Sequence, residues 1–187
     1  MTGLFGGAFD PPHNGHVALA RAALESFSLD ALHVLVVARP GHRAVTSEPG
    51  VRLALAQAAF AEVPRAQVEF DGHAFTVDLL RERAFDDPLV LIGADQLAAF
   101  DTWKEPDEVL RRARLGVATR PGYPREALDS VLARLEAPER VLLFELPPLP
   151  VSSSEVRALA GRRESYADLV PAGVHEQIER LGLYRGE

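Results

Sequence analysis

Within twelve positions an apolar N-terminal run gives way to a pair of adjacent glycines, two prolines, two histidines and a helix start: Phe5-Gly6-Gly7-Ala8-Phe9-Asp10-Pro11-Pro12-His13-Asn14-Gly15-His16. The chain is thereby bound to begin as strand, tight turn and helix. Gly6 and Gly7 let the backbone turn sharply and approach a ligand with no Cβ in the way. A helix beginning near Asn14 presents unpaired N–H groups and the positive end of its dipole, which suits a phosphate. His13 and His16 are three apart, so both can face one ligand. That spacing also suits a metal, but no third ligand stands nearby at a recognisable spacing. The plain structural alternative is a Gly-Pro linker turn with solvated or capping histidines.

Apolar runs then alternate with amphipathic stretches to the end of the chain, the pattern of strands joined by crossover helices in a parallel sheet. Strands are expected near 2–6, 31–38, 66–70, 89–93, 113–119 and 141–145. Runs such as Leu89-Val90-Leu91-Ile92 suit strands covered on both faces. Val17, Ala20, Leu24 and Phe27, then Leu53, Ala56 and Phe60, then Leu128, Leu132 and Leu135 recur at helical spacing and read as core faces. Strand ends followed by glycine or aspartate, at Gly6-Gly7 and at Gly93-Ala94-Asp95, mark where ligand loops gather in an open α/β sheet. Proline-containing segments at 39–49, 120–124 and 146–151 read as loops. With 187 residues, 47% of them hydrophobic, and no internal repeat or long linker, one domain over 1–187 is expected.

A formal net charge of −7, from 27 acidic and 20 basic residues, opposes broad attraction to nucleic acid or anionic lipid, so neither is expected as a partner. An anion must be held locally. The basic residues close to glycines, helix starts or the two histidines are His13, His16, His42, Arg43, Arg120 and Arg157; most other arginines read as lying on solvated helix faces. Cysteine is absent from the sequence, which excludes disulfides, thiolate zinc sites and cysteine nucleophiles. No run approaches bilayer-spanning length, and a soluble, cytoplasmic protein is expected.

A second segment, Val151-Ser152-Ser153-Ser154-Glu155-Val156-Arg157, carries a capping box in Ser152 and Glu155 and should start a helix. Arg157 lies one turn in, where its guanidinium can join the helix N-terminal amides around a phosphate. Read alone, the segment is better taken as a capped helix with an incidental arginine.

Residues 7 to 16 spell G-x-F-x-P-x-H-x-G-H and so resemble the signature of the nucleotidyltransferases related to class I aminoacyl-tRNA synthetases. Further motifs narrow the resemblance: Ile92-Gly93-Ala94-Asp95 with Trp103 eight residues beyond, Arg120-Pro121-Gly122, Ser152 to Arg157, Leu169-Val170-Pro171, and Leu181-Gly182-Leu183-Tyr184. Over nearly its whole length the chain is similar to the bacterial nicotinate-nucleotide adenylyltransferases. Pantetheine-phosphate adenylyltransferases are similar too, but usually have threonine at the place of His13 and lack the Trp and Arg-Pro-Gly pattern. One region departs: the family usually carries an Asn after the second strand and a longer Pro-Pro-His-Lys loop, where this chain reads Ala38-Arg39-Pro40-Gly41-His42-Arg43. His42 and Arg43 stand in place of the His-Lys pair, or are solvated loop residues.

The resemblance implies an α/β fold, a Rossmann-like open parallel sheet of nucleotidyltransferase type with helices on both faces. It implies transfer of the adenylyl group of ATP to nicotinate mononucleotide, giving the dinucleotide precursor of NAD and pyrophosphate. His16, assisted by His13, is then expected at the α-phosphate. Gly6, Gly7, Ala8 and Phe9 are expected to hold ATP through backbone amides, Gly93 and Asp95 to meet the ribose, and Ser153, Ser154 and Arg157 to meet the pyrophosphate. For the acceptor, Trp103 is a platform for the pyridine ring, Thr76 and the backbone near Lys104 donate to its carboxylate, and Arg120, His42 and Arg43 add charge. Mg²⁺ is expected on the ATP phosphates with no dedicated carboxylate cage; Asp10 either touches its water shell or serves the turn. Tyr184 and Leu183 are assigned to packing. Nicotinamide mononucleotide or another phosphorylated acceptor, and a nucleotide-binding regulator without turnover, are the alternatives.

Overall fold

The computed structural model describes residues 1–38, 40, 45–119 and 125–185. Strands β1 (Thr2–Gly7), β2 (Ala31–Val37), β3 (Ala66–Asp71), β4 (Leu89–Gly93), β5 (Arg114–Thr119) and β6 (Val141–Glu145) pair in the order β3-β2-β1-β4-β5-β6. Every pairing is parallel. Between and after them run α1 (Asn14–Ser26), α2 (Pro49–Phe60), α3 (Thr76–Glu82), α4 (Ala94–Ala98), α5 (Pro106–Arg112), α6 (Arg125–Leu132), α7 (Ser153–Arg162) and α8 (Ala172–Leu181). The apolar runs of the sequence are the strands because a strand covered on both faces has no polar side to show.

Side-chain alternation sorts the core into two layers. Phe5, Val34, Leu89 and Leu91 point into a cluster with Ala20, Leu24, Leu55, Ala56, Val156 and Ile178, so α1, α2, α7 and α8 cover one face. Leu4, Leu35, Val90 and Ile92 point the other way, into a cluster with Val77, Leu97, Val109, Leu110 and Leu128 from α3 to α6. Each such leucine or valine contributes about 1.5–3 kcal/mol by leaving water.

The chain reverses direction across the sheet between β1 and β4: β1 is followed by β2 on one side, and β4 to β6 add on the other. In open α/β sheets a ligand crevice lies at such a switch point, outside the carboxyl ends of the strands. Here the crevice is widened by the backbone itself. β1 and β4 are in register only at Gly3↔Leu89 and Leu4↔Val90, whereas β1 stays paired with β2 as far as Gly7↔Val36.

Candidate active site

The turn after β1 is tight, but its glycines are not what bends it. Gly6 and Gly7 still belong to β1, and the positive φ falls on Phe9, at 49°. Gly7 is required for space: an added Cβ would sit 2.8 Å from the Phe9 ring, which folds back over it. At Gly6 a Cβ would meet nothing within 4 Å, leaving the strand end open to a close neighbour. The Phe9 side chain is buried and packs edge-on against Phe5, Phe60 and His16, with centroids 5.5, 5.6 and 5.2 Å away. Only the Phe9 main chain is left to meet a ligand.

His13 occupies the N-cap position of α1, in extended backbone, and its N–H donates to Nδ1 of His16 at 3.1 Å. A ring nitrogen that accepts carries no proton, so neutral His16 has its hydrogen on Nε2. The two rings stack with centroids 3.7 Å apart. Burial lowers the His13 pKa to about 4, so this ring is neutral at pH 7, and its Nδ1 is buried with no hydrogen-bond partner. Gly15 makes room for the stack: a Cβ there would lie 3.1 Å from the His13 ring.

Both histidines line a cleft of ≈ 200 Å³ together with Gly15, Gly93, Ala94, Asp95, Thr119 and Val151. The cleft thus gathers the first turn of α1, the β4–α4 junction and the end of β5. Gln96 caps α4 through Oε1, which accepts the Gly93 N–H at 3.3 Å, and Asp95 is exposed beside it.

The second sequence motif is brought to the same turn. Ser152 caps α7 by accepting the Glu155 N–H at 3.1 Å. Ser153 Oγ donates to Pro11 O at 2.8 Å, and Arg157 Nη1 donates to Asp10 O at 2.6 Å while Nη2 reaches Ser154 Oγ at 3.2 Å. Ser153, Ser154 and Arg157 therefore stand against the backbone that leads into His13.

Arg52 and Tyr184 also hold this turn, and the sequence reading assigns both elsewhere. Arg52, read as solvated, is 0% exposed. Its guanidinium donates to the carbonyls of Ala8 (2.8 Å), Val37 (2.9 Å), Ala38 (2.8 Å) and Ser47 (3.2 Å), tying the ends of β1 and β2 together. Burial lowers its pKa, and the Asp10 charge opposes that shift. The signal was available: Arg52 is the one charged residue in the run Pro49 to Ala61, a helix apolar all round. Because Ala8 O points at Arg52, the Phe9 N–H across the same trans peptide points the opposite way.

Asp10 is 3% exposed, and its carboxylate accepts from the N–H groups of Thr46 and Ser47 and from the Tyr184 hydroxyl at 2.7 Å. Burial alone would raise its pKa; the bonds from Thr46, Tyr184 and Ser47 outweigh that and hold it below the ordinary carboxylate value. The carboxylate thus bonds within the turn, the second of the two roles its sequence position suggests. Tyr184, read as packing, packs against the core and also clasps Asp10.

Thr76, Trp103 and Lys104 form a separate group, and none of them lines the cleft. Lys104 Nζ bonds both Asp78 carboxylate oxygens, at 2.9 and 3.0 Å, and lies 5.1 Å from the Phe75 ring centroid, so Thr76 and Lys104 are drawn together. Thr76 is the first residue of α3 rather than its cap, which is Phe75. Trp103 is half-buried against Phe100, at 5.1 Å, rather than fully exposed, and its main-chain N–H already serves Phe100 O. His42, Arg43 and Arg120 lie outside the described residues. Among the described residues no three His, Asp or Glu side chains are placed to hold a metal, and no helix is long and apolar enough to cross a membrane.

A parallel sheet with a cleft between the first turn of a histidine-capped α1 and the carboxyl ends of β4 and β5 is nucleotidyltransferase architecture, and residues 4–159 match the cytidylyltransferase-like family model. Relatives named "Probable nicotinate-nucleotide adenylyltransferase" in Bordetella petrii and in Thermus thermophilus are each 38% identical, over 98% of this chain and 98% of theirs. The fold is shared with the Plasmodium falciparum nicotinic acid mononucleotide adenylyltransferase solved with NaAD, at a TM-score of 0.81 and 16% identity, over 98% of this chain and 96% of that one. The chain belongs to the cytidylyltransferase-like family and, within it, to the nicotinate-nucleotide adenylyltransferases.

Proposed function

We propose that the protein, as one nucleotidyltransferase domain, transfers the adenylyl group of ATP to nicotinate mononucleotide, releasing pyrophosphate and forming nicotinate adenine dinucleotide. The observation that carries this reading is the full-length kinship with enzymes of that name in a chain whose two histidines, α1 N-terminus and α7 converge on one turn.

The attacking atom is an oxygen of the acceptor phosphate. With a second pKa of about 6 that phosphate is largely dianionic at pH 7, so no general base is needed. Catalysis rests on bringing two anions together and stabilising charge at the α-phosphate and on the leaving pyrophosphate. We assign the α-phosphate to His16, through Nε2–H, with neutral His13 stacked behind it. The strand end at Gly6 and Gly7 and the Ala8–Phe9 peptide meet ATP through the main chain. Gly93 and Asp95 meet the ribose, and Ser153, Ser154 and Arg157 the pyrophosphate. Mg²⁺ travels on the triphosphate as part of the substrate and neutralises charge there.

For the acceptor we assign the ring to Trp103 and its carboxylate to Thr76, the backbone near Lys104 and Arg120, with His42 and Arg43 toward the acceptor phosphate. Donors that suit a carboxylate leave an amide NH₂ unmatched, at about 1–3 kcal/mol per unpaired group. Preference for the acid by about a hundredfold follows.

The test is pyrophosphate release from ATP with nicotinate mononucleotide, nicotinamide mononucleotide or phosphopantetheine as acceptor. Release with the first, about a hundredfold less with the second and none with the third is the expected pattern. No release with any of them would leave a nucleotide-binding protein without turnover.

A further inference from the structure

The side chain and main chain of Asp10 form the point at which three remote segments meet. Its carboxylate takes Tyr184 OH from the segment after α8 and the N–H groups of Thr46 and Ser47 from the segment before α2, while its carbonyl takes Arg157 from α7. Ser47 Oγ also donates to Tyr184 Oη at 3.1 Å, closing a ring of contacts around one carboxylate. Tyr184 adopts a left-handed backbone, φ 62°, two residues after Gly182 ends α8 in the same region, φ 61°. The chain thus reverses course after α8 and delivers a hydroxyl to a turn that lies 174 residues earlier in sequence.

Resting on the assignment of that turn to ATP, we propose that Tyr184 is a positioning residue for adenylyl transfer: through Asp10 it fixes the backbone between Phe9 and His13, and thereby the His13–His16 stack. Tyr184 lies beyond the 4–159 span of the family match, so a part of the chain outside the nucleotidyltransferase core completes the nucleotide turn. The hydrogen bond, not the ring, is the element that does this. The ring packs on the core in any case, whereas the hydroxyl is bonded to Asp10 and Ser47. Arg52, Ser153 and Arg157 bond the carbonyls of this turn, at Ala8, Pro11 and Asp10, and the Asp10 carboxylate is where the segment after α8 joins them.

Tyr184→Phe removes only the hydroxyl and leaves the packed ring. Its kcat should fall about tenfold, while ATP binds by calorimetry with unchanged stoichiometry and a Kd within about threefold of the unsubstituted protein. The ring-nitrogen NMR signals of His13 and His16 should shift in the absence of any substrate. Adding Asp10→Asn should cost little more than the worse single change, because both act through one contact. Tyr166→Phe, which deletes a hydroxyl–carboxylate bond of 2.6 Å to Glu179 in the same C-terminal region, should leave turnover and both histidine signals as they are. Unmoved histidine signals in Tyr184→Phe, or a fall in kcat matched by an equal fall in ATP stoichiometry, would overturn the proposal in favour of a purely structural tyrosine. The histidine signals need no acceptor, so they judge Tyr184 even if the unsubstituted protein fails to release pyrophosphate, a result that bears on the reaction instead.

Discussion

The imidazole rings of His13 and His16 lie face to face, 3.7 Å apart at 29°, and the hydrogen bond from His13 N–H to His16 Nδ1 makes them chemically unequal. His16 has a defined tautomer with its hydrogen on Nε2. His13 is desolvated and stays neutral until the pH falls to about 4. The pair thus sets one imidazole of defined tautomer against a neutral ring that stacks on it.

Replacing His16 by alanine should lower kcat by about a hundredfold or more, the scale for losing one donor to developing charge, with the fold intact. Circular dichroism and steady-state kinetics check both halves. Unchanged turnover in a folded variant would remove His16 from the chemistry.

The depressed His13 pKa makes stability fall with acid. Above pH 6.5 the ring is neutral in both folded and unfolded chains and costs nothing. Between 6.5 and about 4 the unfolded chain takes up a proton that the folded one refuses, so stability is lost as pH drops through that window. At about 1.4 kcal/mol per unit the loss approaches about 3 kcal/mol. His13→Asn puts a favoured N-cap residue at this position and should flatten this part of the curve, as urea unfolding at pH 7 and pH 5 would register. Parallel curves for the two proteins would show that His13 titrates normally.

Arg52→Met leaves four carbonyls without the donor that satisfied them and should destabilise the protein by about 3–5 kcal/mol. A loss below about 1 kcal/mol in urea unfolding would mean that water replaces the guanidinium.

Arg157→Ala should raise the KM for ATP about tenfold and move that for the mononucleotide less than about twofold, since its partners Asp10 O and Ser154 Oγ belong to the turn and helix assigned above to ATP. The reverse pattern would reassign α7 to the acceptor.

Trp103 is the only tryptophan in the chain, so emission reports on that one position. Nicotinate mononucleotide should quench or shift it, and Trp103→Ala should weaken binding more than Trp103→Phe, by the roughly 0.5–1.5 kcal/mol of an aromatic pair. Unchanged emission under saturation, with binding confirmed by calorimetry, would return Trp103 to its packing against Phe100.

All six strands and the two nucleotide motifs were legible because each rests on short-range chemistry: unbroken apolar runs, a capping box, and histidines at fixed spacing. What was not legible depends on partners far off in sequence. Arg52 carries a local hint of burial as the one charge in an apolar helix, but its carbonyl partners show only when the ends of β1 and β2 are seen side by side, and Tyr184 looks like any closing aromatic until the chain after α8 reverses toward Asp10. The bend at Phe9 is a local miss of another kind. Glycine was the natural candidate for a positive φ, but the ring of Phe9 needs the glycine's empty side more than the turn does. Trp103, Thr76 and Lys104 stand apart from the lining of the histidine cleft because α3 and α5 dock on each other, a pairing that no motif spells out.

The parting of β1 from β4 after Leu4 has a broader consequence. The width of the entrance is written in main-chain geometry: two adjacent strands splay while their outer neighbours stay zipped. Side chains at the rim can therefore be exchanged, and acceptors of different shape accommodated, without re-engineering the gap itself. The rift is a doorway whose frame is fixed and whose fittings are free to vary.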